Sequence, residues 1–232
     1  FSVHAPDVLA SLAFYERLGF TQVTTGEAWP YPYAVVTDGR LAIGLHGREL
    51  LQSPLPAFVL PDLGRHLPAI ERLGIEILDR RLGSDVFNEA SFETAGGQMV
   101  RLLEARTFSP SQRAPGEVSR LGWFEEFALP VADRQQAQSF WERLGFVPAE
   151  EGDEPYPHVG LTSDSLNVAL LQAGFLKRPA LSFADAAMPA RIAALAEAGI
   201  EFARRLPGNL DSSRHALLVA PEGTQLLLTT AE

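Results

Sequence analysis

Phe14-Tyr15-Glu16-Arg17-Leu18-Gly19-Phe20 returns later in the chain as Phe140-Trp141-Glu142-Arg143-Leu144-Gly145-Phe146. Each copy follows an aspartate, Asp7 and Asp133, at the same spacing. The match extends downstream. Pro30-Tyr31-Pro32 returns as Pro155-Tyr156-Pro157, and Leu41-Ala42-Ile43-Gly44-Leu45 as Leu166-Asn167-Val168-Ala169-Leu170. More weakly, Gly97-Gln98-Met99-Val100 pairs with Gly223-Thr224-Gln225-Leu226. Self-similarity over this length marks a duplicated architecture. Residues 1–106 form one half and 123–232 the other, with a linker rich in Pro, Ser and Gly over 107–122.

Each half divides again. Val3 and Ala5 alternate with polar neighbours, the period of a strand. Asp7 stands where a carboxylate can accept from the free amides of a first helical turn. Val8, Leu12 and Tyr15 then form an apolar helical stripe, and Gly19 suits the left-handed position that closes a helix. Strands are expected over 20–25, 33–37 and 41–46, with Asp38-Gly39 as a hairpin turn. The order is βαβββ. Residues 56–104 repeat it, with a helix from Asp62 to Leu73. Helices over 133–144 and 187–198 place two more modules in the second half. The fold class is α+β: four βαβββ modules paired into curled, antiparallel-rich sheets or half-barrels. Helices lie outside and ligand cavities inside.

Composition narrows the function. The net charge is −10 and the basic clusters, Arg80-Arg81 and Arg204-Arg205, are short. Nucleic acid as a partner is therefore not expected, because a duplex-binding surface needs a basic stripe. No apolar run is long enough to cross a bilayer, and no basic leader opens the chain. With no cysteine there is no disulfide and no thiolate ligand, and a cytoplasmic address fits.

The openings Val3–Phe20 and Leu129–Phe146, together with the turns Ala95-Gly96-Gly97-Gln98 and Ala220-Pro221-Glu222-Gly223, resemble the modules of the vicinal oxygen chelate superfamily. This is the glyoxalase, bleomycin-resistance and extradiol-dioxygenase fold. The resemblance covers nearly the whole chain. It implies cavities between modules that hold small organic molecules. In the metal-dependent members it implies a divalent ion held by the first and last strands of the modules. The positions corresponding to those ligands are Glu126, about Leu55 and about Ala180 on first strands, and Gly44, Arg101, Ala169 and Leu227 on last strands. One slot of the eight lies before Phe1. Glu126 alone can ligate, and Arg101 is a permanent cation that repels a metal.

The expected ligand-binding residues are therefore Glu126, Arg101, His4, His46, Tyr33, His158 and Trp29. Glu126 and Arg101 are read as a pair across a cavity formed by the second and third modules, either structural or gripping an amide or carboxylate. His4 and His46 are read as a metal-binding or acid–base pair, or as a hydrogen-bonded pair at a rim. Tyr33 and His158 occupy equivalent places and line pockets, and Trp29 is able to stack on a planar ligand. No metal ligand set and no cofactor is favoured, although a divalent ion is left open. The preferred function is a metal-free small-molecule binder of the drug-sequestering kind, as monomer or homodimer. The alternative is a metal-dependent lyase or isomerase, or a dioxygenase-like oxidoreductase.

Overall fold

The computed structural model describes residues 1–232 except 25–28, 105–118, 154, 209 and 232. Most of the linker expected over 107–122 thus lies outside the described residues. Three βαβββ modules are followed by a fourth that, among the described residues, has one strand fewer, βαββ. The first is β1 (Ser2–His4), α1 (Val8–Arg17), β2 (Thr21–Val23), β3 (Tyr33–Thr37) and β4 (Ala42–His46). The second is β5 (Ala57–Leu60), α2 (Leu63–Arg72), β6 (Ile77–Arg81), β7 (Glu89–Glu93) and β8 (Met99–Glu104). The third is β9 (Trp123–Val131), α3 (Arg134–Arg143), β10 (Val147–Gly152), β11 (His158–Thr162) and β12 (Asn167–Gln172). The fourth is β13 (Ala180–Asp185), α4 (Met188–Glu197), β14 (Ala216–Val219) and β15 (Gln225–Thr230).

The repeated motif explains itself. Asp7 and Asp133 each accept a backbone N–H three residues on, at 2.9 Å, and so start α1 and α3. Gly19 and Gly145 adopt φ of 89° and 94°, where a side chain would be strained. Their N–H groups, and those of Phe20 and Phe146, return to the last helical carbonyls at 2.9–3.1 Å. The arginine of the motif reaches the other half. Arg17 donates to the carbonyls of Ala198 and Gly199 after α4 at 3.1 and 3.0 Å, and Arg143 to that of Leu73 after α2 at 3.0 Å. Both place a cation at a helix C-terminus, where the helix dipole favours it. The helix α2 starts differently: Glu104 on β8, not Asp62, accepts the Leu63 N–H at 3.1 Å.

In every module the first strand runs parallel to the last, and a meander completes the sheet. The third and fourth modules fuse into one seven-stranded sheet through antiparallel β9 and β13. The first and second are joined by the bridge between Ser2 and Leu55. No sheet closes on itself. Strand alternation divides the side chains. Phe127, Leu129, Leu226 and Leu228 enter a core shared by all four modules, whereas Ala128 and Leu227 face the other way, into a smaller cluster. The helices pack on their sheets, and aromatic contacts join the two halves. Phe20 touches Phe183, and Phe92 touches Phe140, across the two halves. No helix among the described residues is long and apolar enough to cross a membrane.

Candidate functional site

The inner, concave face of the first half carries a cluster of its own side chains beside a cavity of about 200 Å³. Tyr33 opens β3 opposite His46 at the end of β4, and His46 is also the register partner of His4 on β1. Trp29 packs on Tyr33 with ring centroids 4.2 Å apart, and on Phe87 at 4.6 Å. Arg101, near the middle of β8, is buried. Its Nε donates to Glu89 at 3.0 Å, its Nη2 also contacts Glu89, and Arg48 joins the same carboxylate at 3.5 Å. Its Nη1 lies 3.4 Å from both Ser2 Oγ and His46 Nε2. A guanidinium only donates, so His46 Nε2 presents its lone pair and the ring proton sits on Nδ1, 3.2 Å from the Tyr31 hydroxyl. Burial, then Arg101 and Arg48, lower the His46 pKa to about 2. Both ring nitrogens are committed and the ring is neutral at physiological pH. His4 and His46 are register partners, and the His46 ring nitrogens meet Arg101 and Tyr31. Gly44, a position read as a ligand slot, is where these rings fit: a Cβ there would stand 3.0 Å from Tyr33 Oη and 3.2 Å from His46 Nε2.

The second half keeps an open concavity of about 350 Å³. Glu126 on β9, Tyr156, His158 on β11, Ser182 on β13, His215 and Thr229 on β15 line it, with Glu125 and Arg214 at the exposed rim. Glu126 accepts the Tyr156 hydroxyl at 2.9 Å. Burial raises the carboxyl pKa, opposed in part by the nearby His158 and the tyrosine bond. Burial and the Glu126 charge together push the Tyr156 hydroxyl far above its ordinary value. His158 Nδ1 lies 2.9 Å from the Tyr156 carbonyl. A carbonyl only accepts, so Nδ1 carries a hydrogen. His215 is set the opposite way, its Nδ1 accepting the Thr230 N–H at 3.3 Å.

Glu126 and Arg101, expected to face each other, line separate cavities, one in each half. The reason is pairing: the third module joins the fourth, not the second. Sequence reasoning missed Tyr156, Ser182, His215, Glu89 and Arg48. For Tyr156 a signal existed. The two Pro-Tyr-Pro copies put Tyr31 on His46 and Tyr156 on Glu126, each hydroxyl meeting an ionisable group.

Register also tests the metal site that the fold implies. Glu126 pairs with Ser182, and Ser182 with Leu227. The fourth module's first-strand slot is therefore Ser182, not Ala180. A carboxylate, a hydroxyl and an aliphatic chain do not make the three-ligand set a divalent ion needs. In the second module the matching residues are Ala57 and Arg101, which fit no better. No group of three or more His, Cys, Asp or Glu among the described residues is placed to hold a metal.

Whole-chain comparison agrees with this geometry at the level of fold. A catechol 2,3-dioxygenase superposes with a TM-score of 0.63 at 15% identity, over 100% of this chain and 86% of its own. The chain thus shares that protein's fold. Homoprotocatechuate 2,3-dioxygenase from Arthrobacter globiformis gives 0.58 at 16% identity, covering 99% of this chain and 78% of that one. A halotolerant catechol dioxygenase gives 0.58 at 14%, covering 99% and 85%. No protein-family profile and no curated protein matches the sequence.

Proposed function

We propose that this protein binds a small organic molecule in the concavity of its second half, between Glu126, His158 and Ser182, without a catalytic metal. The observation that carries this reading is the register triplet Glu126, Ser182 and Leu227, which puts one carboxylate where a metal would need three ligands. The cavity volume suits a ring-sized ligand. Sequestration of a drug is the narrower form of this reading, and its support is the acidic charge of −10. A cytoplasmic address and a monomer or homodimer go with it, since the duplication supplies two module pairs in one chain.

A second reading, a dioxygenase-like oxidoreductase, is favoured by the comparisons over drug sequestration. Extradiol dioxygenases match this chain along its full length. One experiment separates the two: elemental analysis of the purified protein, followed by a ring-cleavage assay on catechol with and without added iron or manganese. The metal-free reading expects substoichiometric metal and no cleavage under either condition. A stoichiometric ion whose removal abolishes cleavage would overturn it and establish the oxidoreductase.

A further inference from the structure

Each half puts a carboxylate on the inner face of its sheet, and the two charges are handled differently. Glu89 is held by Arg101 and Arg48. Glu126 has the Tyr156 hydroxyl, and among the described residues no guanidinium or ammonium lies within ion-pair distance of it. Register locates the difference. Arg101 stands opposite Ala57 across β8 and β5, and at the matching place across β15 and β13 Leu227 stands opposite Ser182. The second half lacks the internal cation that the first half provides.

Three groups of the wall direct hydrogens to partners within the protein. Tyr156 gives its proton to Glu126, and His158 gives Nδ1–H to a carbonyl. Thr229 Oγ1 donates to the Phe183 carbonyl at 3.3 Å. The Glu126 carboxylate faces the cavity together with Ser182 and His215, and Arg214 stands at the exposed rim. A ligand rich in donors and positively charged complements that carboxylate. It also relieves the cost of a half-buried carboxylate that no guanidinium or ammonium among the described residues pairs with.

We propose that this pocket takes a small organic cation, whose amidinium, guanidinium or primary ammonium group donates to the Glu126 carboxylate. This rests on the small-molecule reading of the same cavity. The ligand supplies at Glu126 what Arg101 supplies at Glu89.

Three isosteric probes test it: benzamidine, benzamide and benzoate, titrated calorimetrically into the full chain at neutral pH with a chelator present. The His158 ring resonances are followed by NMR in parallel. Benzamidine is expected to bind about ten-fold or more tighter than benzamide, with benzoate silent. Glu126→Gln should lower benzamidine affinity by about ten-fold or more while circular dichroism and Tm show an intact fold. Unchanged affinity in that variant, or equal binding of benzamide or benzoate, would overturn the cation proposal. Such a result, with the His158 resonances still shifting, leaves the cavity as the ligand site. If none of the probes moves those resonances, the cavity reading falls as well.

Discussion

The two halves of this chain are near-copies in topology and differ in what they enclose. In the first, a guanidinium enters from the last strand, a carboxylate meets it, and aromatic rings gather beside them. In the second, an aliphatic chain takes the guanidinium's register position, and the carboxylate is left beside an open volume. Duplication fixes strands and turns, because those follow from caps, glycines and apolar alternation that both copies retain. It does not fix the inner face, where each position is exposed to a cavity rather than a core. Function in a duplicated fold is therefore to be sought where the copies disagree in charge at one register position.

The strongest test of this contrast is Arg101→Met. It leaves Glu89 buried with Arg48 as its remaining partner and takes the donor from His46 Nε2 and Ser2. Removing one partner of a buried ion pair costs about 3–5 kcal/mol. Urea denaturation should show a loss of that size, while benzamidine binding to the second half stays at the wild-type level. A loss under about 1 kcal/mol would mean that the pair behaves as a surface pair does, and the contrast would fail.

The two Pro-Tyr-Pro tyrosines give a finer comparison. Tyr31→Phe removes the acceptor of the His46 Nδ1–H, leaving a buried donor unsatisfied at a cost of about 1–3 kcal/mol. Tyr156→Phe removes one donor from Glu126, which keeps access to the open cavity, so the cost should be nearer 1 kcal/mol. Thermal denaturation of the two single variants ranks them. The reverse order would mean that the first concavity is the more hydrated of the two.

Much of the fold was legible in the sequence. Asp7 and Asp133 announced helix starts, Gly19 and Gly145 announced ends, and the alternation of Phe127, Leu129 and Val131 put Glu126 on the inner face. These are local signals, each complete within a few residues. The pairing of modules was not local. Which β-strand β9 joins is decided by contacts across distant segments, so Glu126 was matched with Arg101 instead of Tyr156 and Ser182. His215 was invisible for a similar reason. It precedes β14 without an alternating pattern of its own, and only the packing of β14 against β15 brings it to the pocket wall. Arg101 was singled out from its strand position, but its partner Glu89 lies one strand away on β7, a neighbour that composition does not reveal.

The smallest effect on stability tests the open half and carries the opposite sign. Burial raises the pKa of Glu126 in the folded protein. The unfolded chain therefore releases that proton at lower pH than the folded one. Below the ordinary carboxylate range both states hold it, and the group costs nothing. As pH rises through the raised folded value, the penalty for a charged, unpaired carboxylate develops in full and stability falls. Glu126→Gln has no proton to lose. It should be more stable than wild type at neutral pH by about 0.5–2 kcal/mol, with the gain shrinking as pH falls toward the carboxylate range. Urea titrations at several pH values measure both curves. A variant less stable than wild type at neutral pH would show that Glu126 already has its counter-charge within the chain. The same residue would then resemble Glu89, and the open half would need no cation from outside.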